Sequence, residues 1–180
     1  MSSEVTRWTA DAARSAVSFE VKHLGFAAAK GRFTGLEATL ETSGETAPVR
    51  ASGSGSVEVS SVSTGEPGRD DFLTSPDFFD ASRFTRIEFT AADISLPAAH
   101  QMIVSGSLSW RAVTRPLQLR GRLSNLSQEP DDPRLELHLT GELRRSDYEL
   151  TFPQAAGTAN KLVADRVKLE IELVLVRAAG

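Results

Sequence analysis

The residues in this chain that could do chemistry are few, and most come in close pairs. Arg69 is followed by Asp70, and Arg145 is followed two places later by Asp147. A guanidinium or carboxylate taken out of water is too costly to keep unless it is paired or bound. Each pair therefore reads either as an ion pair bracing the fold or as a seat for an anionic head group. Of the three histidines, His23 shares the apolar parity of an alternating run, which suits a core or cavity wall better than a metal site. His100 falls in a loop by composition and His138 on a polar face, so no convergent ligand set forms and no metal is expected. Asp70-Asp71 and Asp131-Asp132 read as cap and loop residues. Serine is frequent but nowhere marked by a histidine and an acid at a useful spacing, so no catalytic triad can be argued. Trp110 and Tyr148 each join an apolar body to a polar tip and suit a pocket mouth, dry on one side and wet on the other.

Bulk composition narrows the class further. A length of 180 residues fits one domain, residues 1–180. The net charge of -4, with basic residues nowhere in excess, gives no footprint for nucleic acid. Cysteine is absent, which excludes disulfides, thiolate metal sites and cysteine nucleophiles. The first residues lack the apolar core of a secretory signal, and no run approaches the roughly 20 apolar residues of a membrane-spanning helix. The expected protein is cytoplasmic and makes no stable membrane insertion.

The elements that must position these residues are mostly strands. From Ala16 to His23, Val17, Phe19, Val21 and His23 alternate with Ser18, Glu20 and Lys22, the period of a half-buried strand. Leu24-Gly25-Phe26 reads as a bend. A second run holds Phe33, then Leu36, Ala38 and Leu40 on the opposite parity, so the apolar face switches at Gly35 as at a bulge or barrel corner. Glu41 to Val49 reads as a loop. Ala51 to Ser63 begins Ser-Gly-Ser-Gly and could be a linker, but neither half of the chain alone holds enough strands for a closed core. It therefore reads as a strand with inward glycines at 53 and 55. Further runs carry Ile87 and Phe89; Met102 to Trp110; Leu117 to Leu123; Leu135 to Leu143 beyond an acidic loop, Glu129 to Pro133; and Val167 to Leu175. About eight strands with turns between them predict an all-β antiparallel barrel or sandwich. Inward glycines also recur at 106, 121 and 141, and in a barrel they are expected to widen an apolar interior. One stretch departs from this pattern. Between about residues 68 and 82 lie Phe72, Phe78 and Phe79, and Ser75-Pro76 has the form of a helix start. Such short turns need a larger body to pack on, so this aromatic segment is expected to close one barrel end. Apolar Val174 and Val176, on the polar face of the last strand, hint at a homodimer contact.

Several motifs in order along the chain carry a resemblance. They are Trp8-x-x-Asp11-x-x-x-Ser15-x-Val17-x-Phe19; Val21-Lys22-His23-Leu24-Gly25; Lys30-Gly31-x-Phe33; and Ser61-Val62-x-Thr64-Gly65 leading to Arg69-Asp70-x-x-Leu73-x-Ser75-x-Asp77-Phe78-Phe79-Asp80. Ile87-x-Phe89, Gly106-x-Leu108, Val113-Thr114-Arg115-Pro116-Leu117, Arg145-Ser146-Asp147-Tyr148 and Asp165-x-Val167 follow. Together they resemble the YceI family of lipocalin-like, polyisoprenoid-binding proteins. The resemblance implies an eight-stranded antiparallel barrel around a long hydrophobic cavity that holds a polyprenyl lipid or isoprenoid quinone, with no other cofactor and no enzymatic activity. Taken singly, each phenylalanine reads as core; the resemblance turns some into cavity wall. The implied lipid-binding residues are Phe19, Val21, His23, Phe33, Phe89, Leu108, Trp110, Leu119, Leu137, Leu139 and Tyr148, with Phe72, Phe78 and Phe79 as a lid. The chain departs from the family pattern at Trp110 and Arg111, usually a small residue and glycine, and at Glu149, commonly glycine. An enzyme acting on an isoprenoid or quinone, and a ligand-free interaction module with a packed interior, are the alternative readings.

Overall fold

The computed structural model describes residues 4–23, 27–43, 50–127, 131–150 and 163–178, with side chains omitted at 23, 27–28 and 125–127. The bend at Leu24-Gly25-Phe26, residues 44–49 of the expected loop, and Glu129-Pro130 of the acidic loop lie outside the described residues. Eleven strands are formed: β1 (Val5–Ala10), β2 (Ala16–His23), β3 (Ala27–Phe33), β4 (Leu36–Ser43), β5 (Arg50–Glu58), β6 (Val62–Ser63), β7 (Arg86–Ser95), β8 (Gln101–Trp110), β9 (Val113–Ser127), β10 (Arg134–Arg144) and β11 (Val163–Arg177). Among the described residues a single α-helix, α1 (Pro67–Thr74), lies between β6 and β7.

Register reduces these strands to eight staves. β1 and β2 are one long strand interrupted by a turn at Ala12–Arg14, since β1 pairs with β4 (Trp8 opposite Leu40) while β2 pairs with β3 (Val17 opposite Phe33). β3 and β4 are a second, bent at Thr34-Gly35 where the face was expected to switch; Phe33 and Leu36 both end up buried. β5 and β6 are a third, re-phased by a 3-10 turn at Val59–Ser61 that buries Val59 and the off-register Val62 together. β7 to β11 complete an antiparallel barrel, and β11 closes it by pairing with both β1 and β2. Closure leaves the barrel proper no open edge on which another chain could add a strand. On β11, Val167, Leu173 and Leu175 are buried while Lys168, Glu170 and Glu172 face water. Val174 and Val176 stand half-buried on its outer face.

The helix lies earlier than its local signals suggest. It starts with Pro67 at its first position and stops at Ser75, whose extended backbone (φ -68°, ψ 162°) is what a following proline demands. Ser75-Pro76 is thus the helix stop, not its start. Phe78 and Phe79 follow in hydrogen-bonded turns, Phe78 N–H donating to the Ser75 carbonyl and Phe79 N–H to the Leu73 carbonyl. Residues 67–84 form a cap over the barrel end where β8 meets β9.

Left-handed backbone collects at the same end. Both residues of the β8–β9 turn have positive φ, Arg111 at 53° and Ala112 at 61°, as a two-residue type I′ turn requires. Glu149, ending the turn Arg145–Tyr148, has φ 57°. A β-carbon is strained there and glycine is not. Ala112→Gly and Glu149→Gly should each raise stability by about 0.5–1 kcal/mol, some 2 °C in thermal midpoint. Unfolding curves in which both variants melt at or below the parent would show that these turns are not strained.

Candidate functional site

The barrel encloses a cavity of about 670 Å³. Its wall takes Val17, Phe19 and Val21 from β2, Phe33 from β3, Leu36 and Leu40 from β4, and Ile87 and Phe89 from β7. Leu108 and Trp110 on β8, Leu119 on β9, Leu137 and Leu139 on β10, and Val167, Leu169, Ile171, Leu173 and Leu175 on β11 are further parts of it, with Phe72, Phe78 and Phe79 supplied by the cap. The far end is shut by Leu40, Met102 and Leu175, all at most 4% exposed. Gly53 and Gly55 line the cavity, and a β-carbon at Gly53 would sit 2.9 Å from the Thr39 carbonyl oxygen, so the neighbouring backbone approaches closely there. Gly106, Gly121 and Gly141 were expected to widen it as well, but they do not line it. A β-carbon at Gly121 would sit 1.7 Å from the His138 carbonyl oxygen, and one at Gly106 would sit 2.2 Å from that of Thr90. These glycines let neighbouring backbones approach.

The capped end is a chain of rings. Phe72 stacks on Phe78 (5.9 Å between centroids), Phe78 tilts against Phe79 (4.9 Å), Phe79 against Trp110 (5.0 Å) and Trp110 against Tyr148 (6.2 Å). Tyr148 was expected at a pocket mouth with Trp110. It is instead 2% exposed, outside the cavity wall and behind the Trp110 ring, with its hydroxyl donating to the Leu108 carbonyl at 3.4 Å. Trp110 does line the cavity, but its indole N–H is buried with no partner among the described residues.

Thr64, Arg69 and Arg145 are among the polar residues that line the cavity. Thr64 is clamped by α1: Asp70 accepts from its N–H (2.9 Å) and hydroxyl, while Arg69 donates to its hydroxyl oxygen (2.9 Å) and carbonyl (3.1 Å). The Arg69-Asp70 bracing thus runs through Thr64 rather than through a direct ion pair. The buried Arg145 guanidinium donates to the carbonyls of Leu150 (2.7 Å), Val163 (2.9 Å) and Ala164 (3.0 Å). Burial lowers its pKa, and the charge of Asp165 opposes that shift. Partial burial pushes the Asp165 carboxyl up, but bonds from the Ser146 hydroxyl and N–H, with the charges of Arg145 and Arg144, hold it below the usual range. Asp147 acts instead on Tyr148, whose pKa is pushed up to about 12, first by burial and then by that negative charge, with Arg115 opposing.

The remaining residues singled out in the sequence are scattered. His23 pairs through its backbone with Ala27, and its side chain lies outside the described residues. His100 takes a left-handed conformation (φ 65°) in the β7–β8 turn. His138 faces outward, its Nε2 3.1 Å from Glu170 and 3.9 Å from Glu172 across the β10–β11 ladder. Asp132 pairs with Arg134 at 2.8 Å. Arg111, marked in the sequence only as a departure from the family pattern, makes contacts that sequence reasoning missed. It donates to the Phe78 carbonyl at 2.9 Å, and its guanidinium carbon lies 5.7 Å from the centre of the Phe84 ring.

Residues 8–175 match the YceI-like domain. The chain belongs to the YceI-like family. A UPF0312 protein of Staphylococcus aureus (strain MSSA476) is 27% identical over 169 residues, 92% of this YceI-like chain and 95% of that one. The fold is shared with BcnA of Burkholderia cenocepacia (TM-score 0.74, 20% identity, 92% of this chain and 98% of that one). It is shared too with the YceI protein of Campylobacter jejuni (TM-score 0.73, 20% identity, 88% and 90%). A polyisoprenoid binding domain from Saccharophagus degradans aligns over 95% of this chain and 98% of its own, with TM-score 0.63 and 17% identity. Among the described residues of this YceI-like barrel, no helix is long and apolar enough to cross a membrane.

Tyr148 is the chain's one tyrosine, so its ionisation can be followed directly by near-ultraviolet absorbance. An unfolded tyrosine ionises near pH 10, and the folded one at about 12. The folded state therefore holds its proton where the unfolded state has lost it. The stability this contributes is full below pH 10 and is lost as pH rises from 10 towards 12, on the order of 2 kcal/mol in all. Denaturant midpoints should fall across that window in the parent and less steeply in Tyr148→Phe. A folded-state titration near pH 10 would contradict the burial of this ring.

Proposed function

We propose that this protein binds and carries a long-chain amphiphilic lipid, a polyisoprenoid or isoprenoid quinone, along the barrel axis. The observation that carries the reading is the cavity itself: about 670 Å³, walled almost wholly by aliphatic and aromatic side chains, with few polar groups among them. That volume lies within the range of small-molecule sites. Affinity comes from the tail, at roughly 0.8 kcal/mol for each methylene removed from water. The tail lies among Phe19, Val21, Phe33, Phe89, Leu108, Leu119, Leu137 and Leu139, under Phe72, Phe78 and Phe79. The head group lies beside Thr64, Arg69 and Arg145. The titratable side chains on the described wall are Glu37, Arg69 and Arg145. Both arginines are engaged by protein oxygens, which favours holding a ligand over transforming it. The polyisoprenoid-binding description of the Saccharophagus domain supports the same ligand class.

The test is an organic-solvent extract of protein purified without detergent, read by mass spectrometry, on the parent and two variants. Leu139→Trp and Ala38→Phe both project bulk into the cavity and should lower lipid content about tenfold while the barrel still melts cooperatively. Equal lipid in parent and variants would place the ligand elsewhere. A parent free of lipid that also takes up no added prenyl quinone would sink the carrier reading.

A further inference from the structure

We infer that Arg111 is a latch holding the aromatic cap shut over the cavity, and that it sets how fast an occupant enters and leaves. Among the described residues, the backbone hydrogen bonds within the cap are local. Asp80 N–H donates to Ser75, Ala81 N–H to Thr74, and Phe84 N–H to Asp80. Such turns have no ladder to hold them to the barrel, and locally bonded segments open more readily than core strands. Arg111 reaches across from the β8–β9 turn. One guanidinium nitrogen donates to the Phe78 carbonyl in the cap at 2.9 Å and lies 3.5 Å from the Glu149 carbonyl beyond the next turn. The guanidinium also faces the Phe84 ring, whose other neighbour Arg83 lies 5.0 Å from its centre. A single cation thus joins three segments that the barrel ladder does not join. Each of those segments holds a non-glycine residue in left-handed backbone: Asp80 (φ 53°), Arg111 (φ 53°) and Glu149 (φ 57°). Such conformations persist where the surroundings over-determine them, and they gather at clamps and switches. Phe78, which the latch grips by its carbonyl, carries its ring into the cavity wall, so releasing the latch uncovers the cavity.

A latch differs from a wall contact in its kinetics. Loosening it speeds opening whether or not the cavity is filled, so association and dissociation rise together and equilibrium affinity stays. The inference rests on the cavity reading above, and the experiment separates the two. Rates of binding and release of a dansyl-labelled farnesyl alcohol are measured by stopped flow for the parent, Arg111→Ala and Arg111→Gly. Alanine keeps the backbone strain and removes the latch; glycine removes both, so it remains folded if the alanine variant does not. Both rates should rise about tenfold with the dissociation constant within twofold, the expected loss for a charge-assisted hydrogen bond. Unchanged rates, or faster release with affinity lost in proportion, would overturn the latch. If the parent does not bind the probe, the carrier reading is decided by the lipid extract and prenyl-quinone uptake above, and the latch is tested by amide hydrogen exchange. Faster exchange at Phe78 to Phe84 in the variants, with β8 to β10 unchanged, sustains it; equal exchange overturns it.

Discussion

Barrel closure through β11 is the constraint on which the rest of this structure depends. Its 15 residues pair with β10 along one edge and, along the other, with β2 over the first part and β1 at the end. Eight strands closed in this way set an interior just wide enough for side chains to fill or for one small ligand to occupy. Side-chain size decides between the two. The wall from β8 to β11 is mostly Leu, Val and Ile with Met102 and Trp110, whereas the other staves mix Phe19, Phe33, Leu36, Ile87 and Phe89 with Ala29, Ala38, Gly53, Gly55 and Ala91. Where the small residues stand, no side chain fills the interior, and a cavity remains.

Covering that interior raises a second problem, because the end of a barrel offers no ladder to pair with. The chain meets it with short segments fixed by means other than strand pairing. An eight-residue helix is too short to stand alone in water. It is held by Thr64, gripped from both sides by Asp70 and Arg69. The turn Arg145–Tyr148 is held by the Arg145 guanidinium reaching three carbonyls. A buried cation surrounded by carbonyl dipoles is tolerable where a bare one is not. The same bonds that make it tolerable occupy it, so the charged residues which first looked chemical mainly hold the end of the barrel together.

Alternation made most strands legible before any coordinates, because a half-buried strand must repeat every two residues. β2, β8, β9, β10 and β11 fall where their apolar parity puts them, and Gly35 marks the corner its parity switch implied. Three readings went astray where local pattern and tertiary context part. Ser75-Pro76 has the chemistry of a helix start, yet the proline equally forbids the residue before it from continuing a helix, and the earlier Pro67 took the first position. Gly121 looks like a missing side chain on the inward row, but the space a side chain would fill is already taken by the His138 backbone. Tyr148 has a polar tip that suits a wet rim, and its hydroxyl is satisfied by a carbonyl inside instead.

The one-dimensional pattern alone determined the strand faces, the absence of thiol chemistry, the aromatic plug and the family, because these depend on residue type and short-range period. Only the tertiary structure decided which inward residues border space and which border each other. It also showed that Asp70 and Arg69 meet at Thr64, that His138 faces Glu170 across a ladder, and that Arg111 reaches the cap. Those neighbours are 5 to 33 residues apart in the chain. Register and curvature, not spacing, bring most of them together, and neither is written in any single stretch of sequence.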